Sequence, residues 1–462
     1  MRPPEKACAS AAESATPARL GSSQALLQRR LESYPALPRH RFALMVVLAA
    51  AAMPVRLADS FPLVHSVSVL DILLIIVAAT LFLDLAFRPL DPGDRTLFRI
   101  LLVPVLVSFI SLAWSQDRGQ TVRSLLIYLE GLVAYLFVVR ELNGLRPSRI
   151  MVYIGGYGIL LVIPGVLLLL HVPGFAPQVP PNLSHSAGDY LSFYSRFSHP
   201  ILGRSNNIAA VLAFFPVLLI YWGQSRRVPI ATLAGVVTAI AVFLTLSRGT
   251  LLSFLIGAVI YAALPRAAPG AATSRWRRTV LAVVAVGALA IAALYVANPA
   301  THDFFSGRLG SANINGRFSL VSMAVPKLAA RPWLGYGAGV TPDADPKLAE
   351  GVHDTYLQQA LYFGLPLALV VALALWAIPA FFLSRRRASP IAGVIGYTIM
   401  VQLLSFIFES SLEGTVLRVL FYLSVGLGAA LLRSVEAERP EATPVPARRP
   451  DAYWSVASHP PG

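Results

Sequence analysis

Long apolar runs alternate with short polar breaks along most of this chain. A membrane-spanning helix needs about 20 mostly apolar residues, and each break must supply polar or turn residues. By this criterion the sequence predicts twelve spans, at 42–58, 63–86, 98–114, 122–139, 150–171, 207–223, 228–246, 249–264, 279–297, 355–383, 390–409 and 414–432. The pattern therefore predicts an all-α integral membrane protein with about 12 transmembrane helices.

The composition supports this class and excludes a soluble globular protein. Of the 462 residues, 56% are hydrophobic and only 13% are charged, whereas soluble domains are about one quarter charged. A formal net charge of +15 would be compatible with nucleic-acid binding. However, the basic residues lie in short clusters between apolar runs, which is the pattern that orients membrane proteins. We therefore expect membrane lipids as neighbours and no nucleic-acid partner.

The arginines predict which side of the membrane each connection faces. If the N-terminus lies inside, clusters such as Arg140 to Arg149, Arg275 to Arg278 and Arg385 to Arg387 also fall inside. The opposite connections 59–62, 115–121 and 410–413 are nearly free of Lys and Arg, in agreement with the positive-inside rule. The twelve-span count is therefore consistent with the charge distribution.

The chain divides into three predicted parts. Residues 1–41 are expected to form a disordered basic cytoplasmic tail, 42–432 the polytopic membrane domain, and 433–462 a second disordered cytoplasmic tail. Two outer segments are long, 172–206 and 298–354, and the second connects spans nine and ten. Its apolar positions from 317 to 330 recur at helical spacing, so we expect a helix that lies along the membrane surface.

Arginine side chains on the outer side are the first candidates for chemistry. Arg248 separates two apolar runs, where a guanidinium must snorkel, pair or line a wet cavity. A guanidinium also matches phosphate oxygens in a bidentate manner. Arg317 opens the predicted surface helix, and it could equally be a solvated loop charge. Arg204 could contact phosphate or sugar, and the neighbouring Asn207 could do so or could cap its helix.

His353 is the candidate proton acceptor, because it directly precedes the tenth span. A helix N-terminus disfavours a protonated imidazole and so favours the neutral form, which can act as a base. A capping or interface role is the alternative. Asp343 and Asp345 lack a third oxygen ligand nearby, so neither a metal nor another cofactor is expected. Glu130 within span four, and Glu409, Glu413 and Arg418 around the last outer turn, leave structural and substrate roles open.

Read in order, these segments resemble the O-antigen ligase family of bacterial membrane proteins, which includes related O-antigen polymerases. The resemblance covers roughly residues 200–380. The matching stretches are Gly203 to Asn207, Leu244 to Gly249, Gly316 to Phe318, Pro332 to Gly337, His353 to Leu357, and Phe363-Gly364. The family usually carries Asn after the histidine, whereas this chain carries Asp354.

The resemblance implies a function and a site. Members resemble GT-C type glycosyltransferases, act at the periplasmic face of the inner membrane without a metal, and take glycans from undecaprenyl diphosphate. Two arginines and one histidine matter in the family, and by motif they correspond to Arg248, Arg317 and His353. We expect these three to be catalytic. Four further residues are expected to contact substrate: Arg204, Asn207, Tyr336 and Tyr356.

The sequence does not identify the acceptor of the glycan. A ligase would transfer the glycan to lipid A-core or another surface glycan. A polymerase would join repeat units of O-antigen or exopolysaccharide, and a protein O-glycosyltransferase would modify a protein. From a different class, a secondary transporter should show repeated halves with polar breaks near the membrane midplane. The long insertions here follow spans five and nine, which do not divide the chain symmetrically.

Overall fold

A computed structural model describes most of the apolar part of the chain. It covers residues 41–52, 56–58, 67–87, 89–170, 205–245, 247–264, 278–280, 311–340, 354–408 and 415–438, with single positions between 282 and 296. His353 and Arg204 lie outside the described residues, as do Asp343, Asp345 and both predicted tails up to 40 and from 439.

The described residues are almost entirely helical. The helices are α1 (Arg41–Ala52), α2 (Val69–Phe87), α3 (Pro92–Ser111), α4 (Arg118–Glu141), α5 (Pro147–Leu169), α6 (Ser205–Leu212), α7 (Phe215–Arg226), α8 (Pro229–Leu244), α9 (Arg248–Ala263), α10 (Ser311–Ala330), α11 (Thr355–Ser384), α12 (Pro390–Ser405) and α13 (Thr415–Ala437). A short antiparallel pair, β1 (Arg56–Ala58) and β2 (Val67–Ser68), connects α1 to α2.

Most predicted spans correspond to one helix, and the differences have local causes. The first span was predicted to reach residue 58, but α1 ends at Ala52, close to Pro54, and β1 follows. The span 207–223 is divided into α6 and α7. The surface helix begins at Ser311 rather than at 317, and α13 continues to Ala437, beyond the predicted boundary at 432.

Five helical stretches are long and apolar enough to cross a membrane, namely α4, α5, the α6–α7 run, α11 and α13. Six further apolar helices are shorter. The faces that several helices turn outward carry apolar side chains, among them Ile75, Ile230, Val259 and Leu369. Such faces would be unfavourable in water but suit hydrocarbon. The chain is therefore a multi-pass membrane protein, and the count of twelve spans stays a prediction.

The core of the bundle is formed by α12 and its neighbours. Every residue of α12 from Ile391 to Ser405 is buried, because the helix is surrounded by α11, α9, α7 and α13. Helix α4 packs along α13, and α11 packs against both α3 and α12. A helix that is apolar on all sides is expected at such a central position.

Helix α11 defines two opposite ends of the bundle. It contains 30 residues, from Thr355 to Ser384, and a helix of that length measures about 45 Å. We call the end where α11 begins the Asp354 end, and the end where it stops the Arg385 end. The first residue of α9, Arg248, lies at the Asp354 end, because α9 and α11 both start beside the last residues of α12.

Candidate functional site

The end of α12 brings the starts of two other helices together. The Thr355 N–H donates to the Phe406 carbonyl over 2.9 Å, which joins the start of α11 to this end. On the α9 side, a Cβ added at Gly249 would lie only 2.5 Å from Phe408 Cβ, so the two backbones approach closely. Arg248 and Asp354 therefore flank the same three residues of the chain, 406–408.

Arg248 occupies the first helical position of α9 and is exposed. The preceding Ser247 caps the helix, since its hydroxyl accepts from the Thr250 N–H over 3.4 Å and donates to the Thr250 hydroxyl over 3.1 Å. Capping fixes the direction of the helix start. The guanidinium is thus carried on a fixed turn at the Asp354 end, and the positive end of the α9 dipole adds to its attraction for anions.

Asp354, which follows His353 in the sequence, caps α11. Its Oδ1 accepts from the Tyr356 N–H over 2.8 Å and from the Leu357 N–H over 3.1 Å. Burial raises the pKa of this carboxyl, against the two N–H donors, which lower it. An Asn at this position could accept the same two bonds through its side-chain oxygen. The departure from the family pattern therefore leaves the capping geometry possible in both cases.

Residues 332–340, which we call the docking segment, insert into a break in α11. Gly364 has φ 73° and ψ 167°, which interrupts the helix, and Pro366 has no N–H to donate to the Tyr362 carbonyl. The Tyr336 N–H instead donates to the Leu361 carbonyl over 3.0 Å, and the Gly337 N–H to the Tyr362 carbonyl over 2.9 Å.

The exchange of hydrogen bonds is reciprocal. The Leu365 N–H, which a continuous helix would use for the Leu361 carbonyl, donates to the Pro332 carbonyl over 2.7 Å. The other side of the docking segment contacts the turn between α3 and α4: the Gln116 N–H donates to the Tyr336 carbonyl over 3.1 Å, and Trp114 Nε1 donates to the Leu334 carbonyl. The segment after α10 is therefore held on two sides by the membrane domain.

Two predicted substrate-binding tyrosines use their hydroxyl groups within the protein. Tyr336 Oη donates to the Lys327 carbonyl over 3.0 Å, and its ring lies 5.2 Å from the Arg331 guanidinium carbon. Tyr356 Oη donates to the Leu403 carbonyl over 3.1 Å and so connects α11 to α12. These contacts give both residues a structural role, and a contact with substrate stays a prediction.

Two other predicted site residues, Arg317 and Asn207, belong to α10 and α6. Arg317 belongs to α10, in a part of that helix where only the backbone is described. Asn207 lies in the first turn of α6 and is half-buried. Within the described ranges no three His, Cys, Asp or Glu side chains are grouped so as to hold a metal ion. The expected absence of a metal stays a prediction.

A polar cluster at the Asp354 end was not predicted. Arg418, in the first turn of α13, is only 2% exposed; its Nη1 donates to the Ser124 carbonyl over 3.2 Å, and its guanidinium carbon lies 3.7 Å from the centre of the Tyr128 ring. Tyr128 Oη donates to Gln359 Oε1 over 3.3 Å. We call Arg418, Ser124, Tyr128 and Gln359 the Arg418 cluster.

Gln359 has a hydrogen-bond donor to spare. The residue is 2% exposed, yet its Nε2 has no partner within the described part of the chain. A buried amide N–H without an acceptor is unfavourable, so such a group in a native protein calls for an explanation. Gln359 lies at the start of the second turn of α11, five residues after Asp354 and thus near the same end of the helix.

One comparison with known proteins matches this region. The sequence model of the O-antigen ligase family matches residues 233–372, from within α8 to a point just beyond the break in α11. The matched stretch carries Arg248, Arg317, His353 and the docking segment, but neither Arg204 nor Arg418. No curated protein matches the chain. The match over the residues that build the site supports an O-antigen ligase-like family for this membrane protein.

Proposed function

We propose that this protein transfers a glycan from undecaprenyl diphosphate to an acceptor hydroxyl at the periplasmic face of the bacterial inner membrane. The observation that supports the proposal most strongly concerns residues 406–408. The start of α9, with Arg248, and the Asp354-capped start of α11 both lie against these residues. Both belong to the stretch that matches the O-antigen ligase family. A cation for a diphosphate and the histidine that precedes Asp354 thus belong to one end of the bundle.

In the proposed reaction, the acceptor hydroxyl attacks the anomeric carbon of the donor glycan. His353 accepts the hydroxyl proton while the new glycosidic bond forms. The bond between the anomeric carbon and the diphosphate oxygen breaks, and undecaprenyl diphosphate leaves with the bonding electron pair. Arg248 and Arg317 stabilise the charge that develops on this leaving group. In this proposal the two guanidinium groups supply the positive charge that a metal ion provides in other transferases.

Gln359 is proposed to hold the donor through its spare amide N–H. The Tyr128 hydroxyl fixes the amide, and the stacked Arg418 fixes Tyr128, so the N–H is held in one orientation before substrate arrives. A diphosphate or sugar oxygen would accept this bond. Hydrogen bonds to charged acceptors contribute about 1.5–3 kcal/mol. Gln359→Met keeps the volume and is expected to lower kcat/KM for the lipid-linked donor by about tenfold to a hundredfold.

The matched control is Gln402→Met, because Gln402 is also buried, at 1% exposed, and lies in the same domain. Its Nε2 donates to the Val211 carbonyl over 3.2 Å, away from α11. Gln402→Met should lower the Tm and leave KM for the donor unchanged. Equal loss of stability in both variants, with unchanged KM in both, would show that Gln359 has only a structural role.

Deletion of the gene, with analysis of surface glycans, tests the proposed function. Loss of glycan attachment with accumulation of lipid-linked polymer is expected for a ligase, which is the activity we propose. Accumulation of single lipid-linked repeat units would instead identify a polymerase. An unchanged glycan profile with altered uptake of a solute would contradict the proposal and favour a transporter.

Complementation of the deletion strain tests Arg248. Arg248→Ala is expected to reduce glycan transfer by about 10²–10³-fold, the loss typical of one donor to a developing charge. Arg248→Lys should recover only part of it, since an ammonium cannot bind a phosphate in a bidentate manner. Arg149→Ala is the control, because Arg149 is also exposed but lies in the first turn of α5, at the Arg385 end. Full activity of Arg248→Ala at normal membrane levels would exclude the leaving-group role.

A further inference from the structure

A cavity of about 590 Å3 lies at the Arg385 end, opposite the candidate site. It is bounded by the start of α3, the turn between α4 and α5, and the last turns of α11 and α13. Its lining combines apolar side chains such as Leu97, Phe381 and Leu432 with charged groups of both signs. Cavities of this size and mixed character accommodate small ligands or the polar parts of larger ones.

Several charges of the cavity neutralise each other. Arg433 Nη1 forms ion pairs with Asp91, over 3.0 Å, and with Asp94, and its Nη2 donates to the Val139 carbonyl over 2.7 Å. Glu438 is paired with Arg226 over 3.5 Å. These groups hold the ends of the helices together. Because these side chains are already engaged in ion pairs, they contribute little charge to the binding of a ligand.

Three charges of the lining have no ion-pair partner among the described residues, namely Arg146, Arg385 and Glu436. Arg385 is held in place, since its guanidinium carbon lies 3.7 Å from the centre of the Phe381 ring and its Nη1 donates to the Phe381 carbonyl over 3.2 Å. Arg146 precedes α5 and is exposed, and Glu436 lies in the last turn of α13. Two guanidinium groups and one carboxylate thus line one cavity.

We propose that this cavity binds a phosphoethanolamine diester, the headgroup of a zwitterionic phospholipid. Arg146 and Arg385 would hold the phosphate, because guanidinium groups match phosphate oxygens. Glu436 would accept hydrogen bonds from the primary ammonium group. The apolar side chains would contact the glycerol, and the acyl chains would continue along the outward apolar face of α11, which carries Leu373.

The position of the cavity favours a lipid over a soluble metabolite. It lies at the end of helices long enough to cross the membrane, where headgroups are found, and basic pockets between such helices bind the phosphate groups of lipids. The presence of a carboxylate distinguishes it from a site for an acidic lipid such as phosphatidylglycerol, whose headgroup carries no cation. A bound headgroup would connect the ends of α5, α11 and α13 and thereby stabilise the bundle.

The test uses the purified, delipidated full-length protein in detergent. Phosphatidylethanolamine, phosphatidylcholine and phosphatidylglycerol are added separately, and bound lipid is counted by native mass spectrometry while the Tm is recorded. We expect phosphatidylethanolamine to bind most tightly and to raise the Tm by the largest amount. Glycerophosphoethanolamine, which lacks acyl chains, is the soluble arm: binding as tight as that of the lipid would identify a soluble diester as the ligand, whereas weak binding supports the lipid.

Substitutions in the cavity test the proposed phosphate contacts and the proposed ammonium contact separately. Arg146→Gln combined with Arg385→Gln should weaken binding of phosphatidylethanolamine about tenfold or more. Glu436→Gln should reduce its preference over phosphatidylcholine, whose quaternary ammonium has no N–H to donate. Arg149→Gln is the matched control, as Arg149 lies outside the lining. Equal binding of the three lipids, or binding that survives the double substitution, would overturn the proposal. Glycan transfer is not measured, so the outcome is independent of the proposed function.

Discussion

Replacing His353 with alanine is expected to reduce glycan transfer by about 10²–10⁴-fold, the usual contribution of a general base. His353 directly precedes Asp354, whose carboxylate accepts the N–H groups of Tyr356 and Leu357. The positive end of the α11 dipole lies at the same point and disfavours a protonated imidazole. His353 is therefore expected to accept the proton of the acceptor hydroxyl. Transfer from a lipid-linked donor in reconstituted membranes provides the measurement.

The control for this variant is His302→Ala, which removes another histidine of the same predicted outer segment. It should leave transfer within about twofold of the wild type, because surface substitutions away from a site have small effects. Membrane levels and Tm are compared for both variants. Undiminished transfer by His353→Ala would reject its role as the base. A loss of membrane protein would point to folding instead.

Gly364→Ala is expected to destabilise the protein by about 3 kcal/mol or more. The backbone at Gly364, with φ 73° and ψ 167°, lies in a region that is essentially restricted to glycine. A Cβ there would also overlap the Trp333 backbone, which cannot move without displacing the docking segment. We expect a lower Tm together with faster hydrogen exchange at the Tyr336 and Gly337 amides, which donate to α11.

Two further variants make the result specific. Gly156→Ala is the matched control, since a Cβ at Gly156 meets no atom within 4 Å and alanine favours the helix there. Pro366→Ala is a milder test of docking, because it restores an N–H that can compete with Gly337 for the Tyr362 carbonyl. Unchanged exchange at Tyr336 and Gly337 in both Gly364→Ala and Pro366→Ala would mean that the docking segment does not depend on the break.

Hydrophobic patterning predicted most of the fold, because the length and spacing of apolar runs follow from the requirement to cross a membrane. Twelve of the described helices begin or end within a few residues of a predicted span, as Arg248–Ala263 does for 249–264. The Ser247-Arg248-Gly249 interruption was interpreted as a break between spans, and the structure places α8 and α9 on its two sides. The topology also predicted that Arg248 and the start of α11 share one face of the membrane, and both lie at the Asp354 end.

Contacts between distant parts of the chain could not be predicted from patterning. The span 355–383 was interpreted as one helix, although Gly364 and Pro366 together were a local signal for a break. The N–H groups that replace the lost helical hydrogen bonds belong to the docking segment, about 25 positions earlier in the chain. No local sequence rule identifies this segment as the partner of α11. The Arg418 cluster likewise joins Tyr128 to Gln359 across 231 positions of sequence. Arg418 itself was noticed, but its partners on α4 are visible only in three dimensions.

The connection between the docking segment and α11 consists of main-chain N–H and carbonyl groups. Tyr336, Gly337 and Leu365 contribute only their backbone to it. The joint therefore depends on glycine at Gly335, Gly337 and Gly364, where φ is positive and a Cβ would overlap facing atoms, and less on the identity of other side chains. Chimaeras are therefore feasible in which the stretch between the docking segment and His353 is exchanged for another sequence. A scaffold of this kind would allow one membrane domain to acquire a different recognition surface while the proposed catalytic residue Arg248 keeps its position.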